Sequence, residues 1–306
     1  MPARLIAAAN DPSGAETLDV GDALHRRLAH WNHRRLAVGK PGDGWIEDLR
    51  EEFEMRRIEG QFIEGFRSQV AARAAAAPVD AESFVAWFEA LKHDGPGQND
   101  ALFPWLAQAA DYEQMRWFLL QEVAGEAGFD DLVAFSQVKM PTQAKLELAR
   151  NYWDEMGRGS EEGMHGPMLD QLAKALDLKP VIKTTVGPAL ALGNTLVAFA
   201  TNRRYAYHAI GALGAVELTA PWRAAHVADG LKRLGVGRER RYFALHATLD
   251  IKHSEAWNAE VLRPLVAADP GCARFIAEGA LMRLTCGERC FDAYRGILWR
   301  KSALAS

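Results

Sequence analysis

Cysteine is nearly absent: the 306-residue chain has three, Cys272, Cys286 and Cys290. An odd count without Cys-x-x-Cys spacing excludes a disulfide framework and a zinc ribbon, and points to a reducing, cytoplasmic setting. Long apolar runs are missing too. None reaches the roughly 18 residues that a membrane-spanning helix needs. At the N-terminus the short run Leu5 to Ala9 is cut off by Asn10, Asp11 and Pro12 before it could act as a signal sequence. Neither sign of charge dominates. Lys and Arg number 36 against 40 Asp and Glu, giving a net charge of -4 and a pI near 6.2, which leaves no bulk attraction for nucleic acid or an anionic membrane. The basic clusters at 25–27 and 237–241 read as solvated charge. No Gly-x-Gly-x-x-Gly turn or cysteine cluster is available for flavin, nicotinamide or an iron-sulfur centre. Repeats of fixed period are absent and strand-like alternation is scarce.

What is present is helical periodicity. With 49% hydrophobic and 25% charged residues, the chain can bury one large core or two ordinary ones. Trp45, Leu49, Phe53, Ile58, Phe62, Phe66 and Val70 recur at helical spacing up to Ala77, predicting a long amphipathic helix ended by Pro78. Asp80 can cap the next helix, and Asp94 to Asp100 is a loop. Later segments repeat the pattern, with Pro141, Pro180, Pro221 and Pro264 at plausible helix termini. The expectation is an all-α protein, with an N-terminal helical extension over 1–100 packed on a multi-helical bundle over 101–306 as one compact unit.

Some polar residues sit where that pattern needs explaining. His246, Asp250 and His253 stand at offsets of zero, four and seven, so on a helix they project from one stripe. Tyr242, Leu249 and Trp257 lie near the stripe and argue for its burial, and buried imidazoles beside a buried carboxylate want a cation or a proton. Glu155, in the last turn of a helix, opposes the helix dipole unless something offsets it. His165 opens the next helix. A continuous helix would hold the two about 15 Å apart, but Gly157 and Gly159 allow them to converge. Glu217 follows Gly211, Ala212, Gly214 and Ala215 in an apolar run and needs a metal or one of Arg203, Arg204 and Arg223 as partner. Glu122 raises the same question after Trp117 to Leu120, with Glu126 a turn later as its competitor.

Nitrogen and carboxylate donors without thiolate suit Fe or Mn and are unlike structural zinc. Bridging carboxylates in helical bundles hold metal pairs, although the paired Glu-x-x-His motifs of ferritin-like bundles are missing here. His208 lies half a helical revolution from Glu217 and reads as a satisfied histidine. His25, His30, His33, His93 and His226 read as peripheral, and Cys286 and Cys290 as small apolar residues outside the site.

The stretch DEMGRGSEEGMHGPML, followed much later by HATLDIKH, resembles the iron-containing redox enzymes with a heme-oxygenase-like fold, the di-iron oxidases and oxygenases. Their pattern is an early helix Glu, an acidic residue ahead of Gly-x-Gly with a His beyond it, an isolated Glu, then His-x3-Asp-x2-His. The resemblance spans roughly Asp111 to Trp257. It implies a metal site of Glu122, Glu155, His165, Glu217, His246, Asp250 and His253 holding two Fe(II) ions, with Mn as the other candidate. It implies a non-heme centre that activates O2 to oxidise a small organic substrate of amino-acid, amine or fatty-acid type, fed by a separate electron donor. Exposed aromatic helix faces make a homodimer an expectation. Three rivals stay open: a metal-free TenA-like hydrolase, which needs a cysteine in the bundle core; haem on one proximal histidine; and a non-catalytic metal-holding or interaction protein.

Overall fold

The structure is a computed structural model that describes residues 16–125 and 128–305. The Leu5 to Ala9 run and Glu126 lie outside the described residues. The fold is all-α, with no strand among the described residues. It begins with α1 (Glu16–Leu36), α2 (Trp45–Ala75) and α3 (Ala81–Asp94). Asp80 caps α3 by accepting a hydrogen bond from the Ser83 N–H at 2.9 Å, as its position predicts. Next come α4 (Leu102–Gln108), α5 (Tyr112–Gly125), α6 (Phe129–Ser136), α7 (Thr142–Glu155) and α8 (His165–Ala175). The remainder is α9 (Gly187–Thr201), α10 (Ala206–Arg233), α11 (Arg241–Trp257), α12 (Arg263–Ala268) and α13 (Ala273–Ala305). No described helix is long and apolar enough to cross a membrane.

The N-terminal helices share the main core. Ile63, Phe66, Phe84 and Phe88 are buried in one cluster with Leu196, Phe199 and Trp257. The apolar spine expected of α2 is only half right, because Met55, Glu59, Ile63, Phe66 and Val70 form its buried face. Trp45, Leu49 and Phe53 are exposed (59, 54 and 68%). Helical period defines a face but does not say how far a neighbour covers it; α1 reaches α2 through Leu28 and Trp31 only as far as Met55.

The centre of the molecule is α10, packed along α11 and α13. It does not stop at Pro221, as the sequence suggests, but runs through it. Proline removes one N–H and so frees the Glu217 carbonyl, four residues back, a defect worth about 3 kcal/mol. Packing on both flanks outweighs it. At the crossing of α10 and α13 the backbones touch through glycines: a Cβ on Gly211 would run into the Ile276 carbonyl and one on Gly279 into the His208 carbonyl. Beside this crossing Glu278 accepts from Arg67 (2.8 Å), His208 (2.9 Å) and Arg274 (3.1 Å). Burial alone would raise its carboxyl, but His208 and Arg67 more than offset that and hold it at about 2. His208 is thereby engaged away from Glu217. A π-helical turn at Asn258–Leu262 links α11 to α12 and lets the chain pass Pro264 in the first turn of α12.

Candidate metal centre

Glu155 ends α7, and the chain reverses at once. Gly157, Arg158 and Gly159 have φ of 60, 54 and 85°, a left-handed run open to glycine and strained for Arg158. Gly157 packs against the returning chain so closely that a Cβ would collide with the Gly163 backbone, and Met156 pairs with Met164 in an isolated bridge. The loop returns His165 to Glu155. His165 Nδ1 lies 2.6 Å from Glu155 Oε2, yet this nitrogen is buried and makes no hydrogen bond.

Helix α11 supplies the opposite side. His246 Nδ1 is 3.0 and 3.1 Å from the two Asp250 oxygens. A carboxylate only accepts, so Nδ1 carries the proton and Nε2, buried without a hydrogen-bond partner, is the free donor. One turn on, His253 Nε2 donates to Asp154 Oδ2 at 3.2 Å, and Asp154 is itself paired with Arg158 at 2.6 Å. His253 Nδ1 faces Glu217 Oε1 at 3.4 Å and has no hydrogen bond. Glu217 Oε1 accepts from Asn151 Nδ2 at 2.5 Å, so Asn151, and none of the arginines considered from the sequence, is its partner. The His165 and His246 rings meet edge to face at 4.7 Å, and Tyr242 meets His246 in the same way at 4.6 Å.

Two groups of donors converge. Glu155, His165 and His246 form one, and Glu155, Glu217 and His253 the other; within each, one donor atom per residue lies within 4.8 Å of the rest. Glu155 belongs to both. The electrostatics fit a cation. Burial alone would push His246 down, but Asp250, Glu155 and Glu217 raise it to about 9. Burial acts likewise on His253, and Glu217, Asp154 and Asp250 raise it to about 9. Burial and Glu217 push Asp250 up. The site therefore holds more carboxylate than its own cations balance, in a volume where unpaired charge is costly. The buried, unbonded His165 Nδ1, His246 Nε2 and His253 Nδ1 are the atoms a metal would take up. N/O donors of this kind suit iron or manganese.

Six of the seven expected residues are thus together: Glu155, His165, Glu217, His246, Asp250 and His253, with Asp250 serving His246. Glu122 stands apart. It accepts from the Tyr294 hydroxyl at 3.1 Å and joins neither donor group. Its apolar neighbours on α5 signalled burial, and the side chain is half-buried; what it lies beside is a tertiary matter. Asn151 and Asp154 were not singled out from the sequence, although Asn151 lies one helical turn before Glu155 and so on its face.

A single cavity of about 230 Å³ reaches Glu155, His165, Glu217, His246 and Asp250 and continues to Glu122, Arg223, Arg283 and Tyr294. Cys290 also lines it, which corrects the expectation that all three cysteines lie clear of the site: α13 turns this thiol inward. Burial and Glu122 push the thiol well above its ordinary value, the opposite of the lowering that activates a nucleophilic cysteine.

The family model described as iron-containing redox enzyme matches residues 116–288, more than half of the chain. No curated protein matches it. The matched span runs from α5 into α13 and includes every residue of both donor groups. Glu155 and His165 drawn together by the glycine loop, the His-x3-Asp-x2-His stripe turned inward on α11, and this match place the chain in the family of iron-containing redox enzymes, all-α and heme-oxygenase-like in fold.

Proposed function

We propose that the protein is a non-heme di-iron oxidase or oxygenase that uses O2 to oxidise a small organic substrate. The observation that carries this reading is Glu155, whose carboxylate takes part in both donor groups and so is placed to bridge two ions. Two ferrous ions, when bound, would supply the electrons for reducing O2. The protein's own part is to fix the donors. Asp250 and Asp154 accept from His246 and His253 and set which ring nitrogen faces inward. Asn151 orients Glu217. The adjoining cavity has apolar walls that include Leu169, Leu192 and Leu196, which would limit the water beside the metals. Electrons for turnover come from a separate donor, since the sequence carries no motif for flavin, nicotinamide or an iron-sulfur cluster.

The test is anaerobic reconstitution with Fe(II), iron counting, and exposure to O2 at an oxygen electrode with the visible spectrum recorded. The expected result is about two irons per chain, as carboxylate-bridged bundles hold, O2 uptake that a chelator abolishes, and no haem band. One iron per chain, or O2 uptake no faster than that of free Fe(II), would overturn the reading.

A further inference from the structure

Helix α7 has two working sides. Its inner side supplies Glu155 to both donor groups, Asn151 to Glu217 and Asp154 to His253. On its outer side Leu146 and Trp153 are 54 and 53% exposed. With the exposed Ala149 between them they stand at offsets of zero, three and seven, which makes one apolar stripe in solvent. The Trp153 ring lies across Gly159, in the loop that carries the chain on to His165. Lys145 and Arg150 flank the stripe, one on each side, and Arg158 follows at its end. Both arginines are paired in a way that turns positive charge outward. The Arg150 side chain is 63% exposed and that of its partner Glu147 only 9%; Arg158 is 71% exposed and its partner Asp154 20%. None of the exposed positions of α7 is acidic.

We infer that the outer face of α7 is the docking surface for a small acidic protein that carries single electrons, and that it delivers them to the metal donors across this helix. The inference rests on the di-iron reading, which needs reductant from outside, and names what brings it. Protein interfaces are anchored by aromatic residues near the centre and steered by charge at the rim, and α7 presents Trp153 inside a rim of Lys145, Arg150 and Arg158. The face is also close to the metal donors. Asp154 follows Trp153 in the chain and accepts from His253 at 3.2 Å, and His253 belongs to the second donor group. One helix, roughly 10–12 Å across with its side chains, separates carrier from donors. In each delivery the carrier loses one electron and a ferric ion becomes ferrous; no covalent bond forms or breaks. A second copy of this chain fits the face poorly, because a two-fold contact would set the basic rim against itself.

The probes are a plant-type [2Fe–2S] ferredoxin, which is acidic, and a c-type cytochrome, which is basic. Each is titrated calorimetrically into the chain in metal-free and iron-loaded form. Ferredoxin should bind both forms, with an affinity that falls at least about tenfold from low to physiological salt, and the cytochrome should bind neither. Trp153→Ala, and Lys145→Glu combined with Arg150→Gln, should each weaken ferredoxin binding at least about tenfold. Glu161→Lys, on the adjoining loop, should tighten it, and Trp45→Ala, on α2, should leave it unchanged. In anaerobic stopped flow the oxidised, iron-loaded chain should reoxidise reduced ferredoxin, and the double variant should do so more slowly. Dithionite, which needs no docking, should reduce both alike. If the double variant fails to fold by thermal melt, Lys145→Glu alone decides. The inference fails if ferredoxin does not bind, if the cytochrome binds instead, if Trp153→Ala or the double variant binds ferredoxin as the native chain does, or if the native chain is a dimer that Trp153→Ala makes monomeric. Two bound irons without docking sink the docking surface alone; docking on a chain that takes up no iron sinks the di-iron reading alone.

Discussion

A Glu155→Ala chain should retain well under half of the native iron, a larger loss than any other single ligand change produces. Glu155 is the residue common to both donor groups. Removing it takes an oxygen donor from each group, and a negative charge that would face both dications. His165 and His253 each belong to one group only, so His165→Ala and His253→Ala should each leave about half of the native iron if each group holds one ion of a bridged pair. The comparison is made by elemental analysis after anaerobic loading and desalting, with circular dichroism to confirm folding. Equal losses in all three variants would refute the shared role of Glu155, and native iron in Glu155→Ala would refute the site.

The second large effect is on stability. Gly279→Ala places a methyl group against the His208 carbonyl, and Gly211→Ala places one against the Ile276 carbonyl. Both obstacles are helix backbone, which cannot rotate away as a side chain would. Helices α10 and α13 must separate, and Ala212, Ala215, Ile276 and Ala280, all fully buried, lose contact. Overpacking of this kind costs about 3 kcal/mol, equivalent to a fall in Tm of roughly 5 °C for a chain of this length. Gly65→Ala is the control. It lies in α2 with nothing within 4 Å of the new Cβ, and its higher helix propensity should raise stability by about 1 kcal/mol or less. Thermal melts of the three variants decide; an unchanged Tm in Gly279→Ala would show that the crossing yields easily.

The close crossing also explains what the sequence could say about Glu217. The small residues Gly211, Ala212, Gly214 and Ala215 marked a place where another backbone approaches, and a carboxylate just beyond such a place is buried whatever else happens. The His246, Asp250 and His253 stripe was legible for a similar reason, since helical period alone aligns the three. The Gly157 and Gly159 break allowed Glu155 and His165 to meet, and positive φ at both glycines is how they do so. Long-range pairing was not legible. Glu122 sits among apolar residues on α5 much as Glu217 does on α10, and only tertiary structure sets Tyr294 against one and Asn151 against the other. Likewise nothing local showed that α10 would run through Pro221, or that Trp45, Leu49 and Phe53 would find no cover. Each of these depends on what neighbouring helices do, and periodicity within a segment carries no information about that.

The burial of all three cysteines bears on how the molecule can be watched as it opens. Each is only 1% exposed, and burial with Asp269 raises the Cys272 thiol to about 12, while burial raises that of Cys286 to about 11. The thiolate is the species that alkylates, so at neutral pH a maleimide or iodoacetamide gains access to Cys272 and Cys286 only when the helices around them come apart. Their labelling rates therefore time the opening of the core. Cys290 borders the cavity instead, and the difference between its rate and theirs separates entry of a small reagent from unfolding of the chain.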